Sequence, residues 1–479
     1  MTKRNQTLIL VALLLAGFLV RLYKIENPVA DWHSWRQADT SAVTRNFVKY
    51  GIDVFRPRYD DLSDVSGKGL FNPDGYRFVE FPVFNLIHLL VFKALPFLTL
   101  EIAGRLTAVI SSIASAWLIF LLVRRRASPV PALLSAAFFL FLPYNIYFSR
   151  VILPDPLMVT LFLASLNFFD IWFTRGKTKN LVLGTVFGSL AVLVKPIALF
   201  FLLPLVWQFW NKFKMKVFRR KEVILSVIGI LLPFGIWRLW ENNFPQGIPA
   251  NMWLLNGNKI RFKGAFFRWI FGERVAYLIL GSWGLFPFIS GVIAAASAHF
   301  YLITWVLSAV LYLFTFATGN IQHDYYQIPI IPAMAVMLSL GSVSLWRREQ
   351  NFLSTWTKRG ILVICLAFMM AFSWYQIRGL YQVNHWEIVA AGKAVDRLTP
   401  KDAVVVAPYL GDTAFLYQTN RKGFAFMFLP IKDFIDRFDA TYYVSTNYDD
   451  ETNAIMKKYI VVEKTPEYVV VKLEEPIRP

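Results

Sequence analysis

Cysteine is nearly absent: Cys365 stands alone among 479 residues, inside an apolar run. A disulfide framework and a thiolate metal site are therefore excluded, and the thiol reads as a small core residue. Charged residues are scarce at 17%, and the five histidines show no local ligand spacing that demands a metal. No glycine-rich strand-to-helix turn occurs, and Lys422-Gly423 is isolated, which removes the nucleotide-binding fingerprints. No internal repeat is visible. Acidic residues are the minority among the charges, 31 against 50 basic ones, for a formal charge of +19. The basic residues cluster in short loops between apolar runs, the positive-inside pattern of membrane topology, so nucleic acid is not an expected partner. No small-residue cleavage pattern follows the first apolar run, Leu8 to Val20, which reads as a retained signal anchor.

What is abundant is apolar surface. The chain is 56% hydrophobic with 44 Phe and 16 Trp, and its mean hydropathy is +0.46. That composition is a polytopic helical membrane protein. A spanning helix needs about 20 apolar residues, and counting runs against basic flanks predicts about eleven spans. They are Leu8–Val20, Leu106–Val123, Pro131–Tyr147, Pro156–Phe173, Leu181–Val194, Ile197–Trp210, Val223–Trp240, Trp283–Ser297, Tyr301–Thr318, Ile328–Leu345 and Ile361–Trp374. Phe81–Leu98 holds Pro82, His88, Lys93 and Pro96, and the parity of the charges requires that it not cross, so it is expected as an interfacial or re-entrant helix. The N-terminus is then cytoplasmic, in an inner or plasma membrane. A second outer loop, 241–278, mixes Trp253, Phe266, Phe267 and Trp269 with Lys259, Arg261, Lys263 and Arg268, which predicts a helix lying in the interface.

After Asn384 the pattern changes to short alternating segments. A helix over Trp386–Leu398 is followed by a strand, Ala403–Ala407, then Phe415–Gln418, a helix Ile431–Phe438, a strand Thr441–Ser445, a helix Glu451–Lys458, and a final pair, Ile460–Glu463 and Tyr468–Leu473. The expected architecture is thus an α-helical membrane domain over 1–380, with outer loops at 22–105 and 241–278, and a small extracytoplasmic α/β domain over 381–479.

Chemistry concentrates in one stretch. Residues Asp31–Gly51, DWHSWRQADTSAVTRNFVKYG, place Asp31, His33, Arg36, Asp39 and Arg45 directly after the first apolar run. Helical spacing puts Asp39, Val43 and Asn46 near one face, with Arg36 one turn before Asp39. The same span count puts Asp39, Asp155, Lys195 and His323 at the outer membrane surface. A carboxylate that accepts a proton from an attacking hydroxyl, with cations that neutralise a departing phosphate, suits sugar transfer from a polyprenyl phosphate. Without a glycine-rich loop, the phosphate would be held by point charges. Asp39 is the expected base, with Asp31 as the second candidate. Arg36, Lys195 and Arg150 are expected on the phosphate, Asp155 on the acceptor or its base, His323 and Tyr325 on donor groups, and His33 as a positioning group. Plainer readings stand beside these: a lysine between spans often only snorkels, and an aspartate after Pro154 also opens a helix. A transporter or flippase of a lipid-linked saccharide is the alternative function, but it would gather its polar groups near the bilayer midplane.

Five segments carry a resemblance: His33–Thr40 (HSWRQADT), Glu80-Phe81-Pro82, Ser149-Arg150 through Asp155, Lys195-Pro196, and His323-Asp324-Tyr325-Tyr326. Together they resemble the GT-C membrane glycosyltransferases, similar to protein O-mannosyltransferases and to the aminoarabinose transferases that modify lipid A. The resemblance covers most of the membrane region. It implies Asp39 as the base of the first outer loop, Asp155 as a second acidic residue and Lys195 as a phosphate or sugar contact. Glu80 stands where relatives carry a basic or His residue before two prolines, and is taken as a substrate contact. The Asp-Glu pair of their first loop has no counterpart here. Expected partners are a polyprenyl-phosphate-linked sugar donor, a lipid, glycan or protein acceptor, and membrane lipids. No cofactor is expected.

Overall fold

The computed structural model describes residues 1–347 and 354–474. Arg348, of the basic pair Arg347-Arg348 that flanks the expected span Ile328–Leu345, lies outside the described residues. Among those described, six helices are long and apolar enough to cross a membrane: Lys3–Arg21, Leu100–Arg126, Asp155–Arg175, Lys221–Glu241, Asp324–Trp346 and the one beginning at Thr355. Shorter apolar helices, Pro129–Phe141, Thr178–Val194, Leu285–Ala298 and Phe300–Thr315, lie in four of the other runs. Val83–Ala94 has 12 residues. At about 1.5 Å per residue it falls well short of a hydrocarbon layer about 30 Å thick.

Three expectations are corrected. Pro131–Tyr147 is two helices, Pro129–Phe141 and Pro143–Phe148, because Pro143 has no N–H to donate and turns Leu142 to ψ 121°. Ile197–Trp210 divides in the same way into a 3-10 turn, Pro196–Leu202, and a helix, Leu203–Phe213, with Pro204 in its first turn. The second outer loop holds no continuous interfacial helix. It is a series of short turns, Trp253–Asn256, Gly257–Phe262 and Gly264–Phe267, ending in a π-helical stretch, Arg268–Ile279. Asn258 and Lys259 take left-handed dihedrals there, which no right-handed helix continues through.

The chain forms two compact units. The first comprises Met1–Ile25, Leu106–Ile236 and Asn251–Gly379. Its tightest helix pair is Leu285–Ala298 against Ile331–Trp346, where a Cβ on Gly291 would fall 1.8 Å from the Met337 carbonyl and one on Gly341 1.8 Å from that of Pro287. Without side chains at these two positions the backbones touch, as small residues permit in apolar surroundings. At one end of this bundle Arg125 and Arg126 both pair with Asp170, which also accepts from Gln208 Nε2 at 3.1 Å. The C-terminal ends of Leu100–Arg126 and Asp155–Arg175 therefore share a side, as the charge count requires.

The second unit comprises Glu26–Arg105, Trp237–Ala250 and Leu380–Pro479. Its sheet contains β1 (Val404–Val406), β2 (Lys422–Phe424), β3 (Tyr442–Ser445), β4 (Ile460–Lys464) and β5 (Val469–Lys472), in the order β2-β1-β3-β5-β4. β1 runs parallel to β2 and β3, whereas β5 is antiparallel to β3 and β4. Lys422-Gly423, isolated in sequence, is thus part of a strand. A Cβ on Gly423 would lie 1.8 Å from the Val405 carbonyl, so only glycine fits. Phe415–Gln418 is helical, within Thr413–Thr419, because the Asp412 side chain caps that helix and Asn420 ends it in a left-handed turn. The first loop joins the sheet at the β2 edge: Gly423 N–H donates to the Asp60 carbonyl at 3.0 Å and Leu62 N–H to the Gly423 carbonyl at 2.8 Å. Leu62 is buried in the same core as Val406, Phe424, Phe434 and Val469.

Candidate functional site

In the second unit the site is built on the helix Ser34–Tyr50. Its sequence is polar, yet Arg36, Gln37, Asp39, Thr40, Ser41, Thr44 and Asn46 are all buried. Burial on that scale requires partners for every polar group. Asp39, 3% exposed, has both oxygens engaged: Oδ2 receives Arg77 Nη2 at 2.5 Å and Oδ1 receives the Thr413 hydroxyl at 2.6 Å. Each carboxylate oxygen keeps a further lone pair. Arg77 is stacked over the Tyr59 ring, its guanidinium 4.9 Å from the centroid.

The neighbours of Asp39 are held with equal care. Arg36 pairs with Glu80, and Thr40 donates to the Arg36 carbonyl at 2.9 Å. Asp31 accepts from Gln37 Nε2 at 2.7 Å and pairs with Arg105 at 3.4 Å, both side chains fully enclosed. His33 precedes the helix in a left-handed conformation, φ 53°, with its ring edge-on to Trp32. Arg45 pairs with Asp60 and stacks 3.9 Å above the Tyr417 ring. His88 Nε2 donates to the Leu100 carbonyl at 2.7 Å, and its Nδ1 lies 3.0 Å from the Thr44 hydroxyl, a structural role. Asp412 is pushed up to about 6, chiefly by burial and further by the Asp39 charge, with the Ala414 N–H that it accepts, His33 and His385 opposing.

In the first unit Asp155 opens the helix Asp155–Arg175, and Lys195 ends the helix Thr178–Val194. They meet at 2.7 Å, with Asp155 1% exposed and Lys195 13%. Lys195 Nζ also lies 5.8 Å from the ring centroids of both Tyr325 and Tyr326. His323 stacks on Tyr326 at 5.4 Å and lies the same distance from Tyr325. Tyr144 secures this turn by donating to the Asp324 carbonyl at 2.5 Å. Arg150 is fully buried, its Nη2 donating to the Lys24 carbonyl at 2.7 Å. Asp155 and Asp170 are 15 residues apart on one helix, which at about 1.5 Å per residue sets the Asp155–Lys195 group some 22 Å from the Arg125–Asp170 end.

Of the residues expected from sequence, the structure brings together Arg36 with Glu80, and Asp155 with Lys195, His323 and Tyr325. Arg77, Thr413 and Asp412 were not expected. Arg77 comes 38 positions after Asp39, within the first outer loop, and Thr413 comes 374 positions after it. Neither separation leaves a local signal.

The sequence profile of the dolichyl-phosphate-mannose-protein mannosyltransferases matches residues 82–240. No curated protein matches the chain in sequence. In three dimensions the chain is similar to ArnT from Cupriavidus metallidurans bound to undecaprenyl phosphate, with a TM-score of 0.66 at 14% identity over 98% of both chains. The chain thus has an ArnT-like fold, mostly helical with a small C-terminal sheet domain. The apo state of the same ArnT gives a TM-score of 0.67 at 13% identity, again over 98% of each chain. A more distant likeness is to the oligosaccharyltransferase AglB from Archaeoglobus fulgidus, in complex with an inhibitory peptide and a dolichol-phosphate. There the TM-score is 0.56 at 11% identity, over 96% of this chain and 74% of that one.

Proposed function

We propose that the chain is an integral membrane glycosyltransferase that moves one sugar from a polyprenyl phosphate to a hydroxyl on the extracytoplasmic face, with inversion. The observation that carries this reading is the full-length likeness to a GT-C protein that binds undecaprenyl phosphate. In the reaction the bond between the anomeric carbon and the phosphate oxygen breaks as the acceptor oxygen bonds to that carbon. The phosphate leaves with the electron pair, and the acceptor proton passes to a carboxylate. Asp39 is that general base, working through a lone pair that Arg77 and Thr413 leave available. Lys195 neutralises the leaving phosphate, with Asp155 setting its position and His323 and Tyr325 lining the donor side. Arg36 stands one helical turn before the base with its charge balanced by Glu80, and Arg150 braces the loop that leads into Asp155.

The test supplies purified protein with a panel of radiolabelled polyprenyl-phosphate sugars and follows release of the carrier. Carrier release that disappears in Asp39→Asn is the expected result. Movement of intact donor across the bilayer with no bond cleavage would replace the enzyme by a flippase.

A further inference from the structure

The C-terminal α/β fold reaches Asp39 through one turn. Tyr409 and Gly411 N–H both donate to the Ala425 carbonyl, at 3.1 and 3.3 Å, and Asp412 N–H donates to the Tyr409 carbonyl at 2.9 Å. Leu410 and Gly411 take left-handed dihedrals, φ 52° and 81°, which reverse the chain sharply. Asp412 then caps the helix Thr413–Thr419 by accepting from Ala414 N–H at 2.7 Å. Thr413, the first residue of that helix, is therefore fixed by the backbone before its side chain makes any contact. Its hydroxyl lies 2.6 Å from Asp39 Oδ1 and 3.2 Å from the Trp35 carbonyl. A hydroxyl has one proton to give, and the shorter, charge-assisted contact takes it.

We propose that Thr413 is a positioning residue for Asp39, so that the C-terminal α/β domain is part of the apparatus that prepares the base. This rests on Asp39 being the base. A carboxylate that removes a proton must present a lone pair in a fixed direction, yet the terminal torsion of an aspartate is broad and roughly two-fold. Arg77, on Oδ2 alone, leaves that torsion to swing. Thr413 on Oδ1 supplies the second point, and two donors on different oxygens orient the group.

The test measures kcat and KM of carrier release for the full-length protein with Thr413→Val, Thr413→Ala and Thr413→Ser. Removing the hydroxyl in the valine or alanine variant is expected to lower kcat about tenfold or more with donor KM little changed. Serine restores the rate. Alanine serves if valine does not fold. An unchanged rate without the hydroxyl, or a serine variant no better than alanine, overturns the proposal while Asp39→Asn remains inactive. Full turnover in Asp39→Asn instead overturns the base assignment, and this inference with it.

Discussion

Two carboxylates are put forward for chemistry, and they are held in different ways. Asp155 and Lys195 sit at the ends of two consecutive helices of the bundle, 40 positions apart, and meet because an antiparallel helix pair returns the chain to the same level. Asp39 sits on a helix whose buried residues are largely polar, and its partners come from a loop and from the far C-terminal domain. In the bundle, apolar helices do the positioning and one ion pair is added at the end. In the sheet-containing unit, the hydrogen bonds themselves join the parts. Losing one contact should therefore act locally in the first unit and on the site itself in the second.

The largest effect expected is from Asp39→Asn, which removes the proton acceptor but keeps the shape. A loss of about 10²–10⁴ in kcat follows, read as carrier release. Loss confined to KM would place Asp39 among binding groups and erase the contrast with Asp155. Next is Lys195→Met, which leaves the Asp155 carboxylate enclosed without this cation. Thermal unfolding in detergent should show a destabilisation on the order of 3–5 kcal/mol. Adding Asp155→Asn should recover much of that stability while carrier release stays low. Recovery of both would reduce the pair to a structural bridge.

A smaller effect separates the units. Gly341→Ala drives a methyl into the Pro287 carbonyl and should cost about 1–3 kcal/mol of bundle stability, with the effect of Thr413→Ala on kcat unchanged. The smallest is a pH dependence. Asp412 is pushed up to about 6 in the folded chain by burial, so the folded state binds this proton more tightly than the unfolded chain. Stability at this group is greatest at low pH and falls as pH rises from the ordinary carboxylate range through about 6. Asp412→Asn should flatten that slope, as measured by unfolding at several pH values, and an unchanged slope would remove the buried charge from the Asp39 cluster.

Much of this was legible beforehand. Ile431–Phe438 is helical at the residues its pattern marks, and Asp449 caps the helix Asp450–Lys458 through Thr452 N–H. Val83–Ala94 is short for the reason its prolines and lysine imply. Phe415–Gln418 was obscure because four apolar-rich residues fit a strand or a helix equally, and Asp412 and Asn420 at its flanks decide. Lys422–Phe424 was obscure because three residues carry no periodicity. Only the pairing with Val404–Val406 on one side and Asp60 on the other makes them a strand.

The sequence by itself determined that the chain is a membrane protein, where most of its apolar helices begin and end, and that carboxylates and cations cluster near Asp39, Asp155 and Lys195. Those properties follow from local composition and from the length a bilayer requires. Tertiary structure alone decided that Arg77 and Thr413 share the Asp39 carboxylate, that Glu80 answers Arg36, and that the first loop extends the C-terminal sheet. Each of those contacts joins residues with no periodic relation, and they form because a buried polar group must find a partner wherever the folded chain brings one.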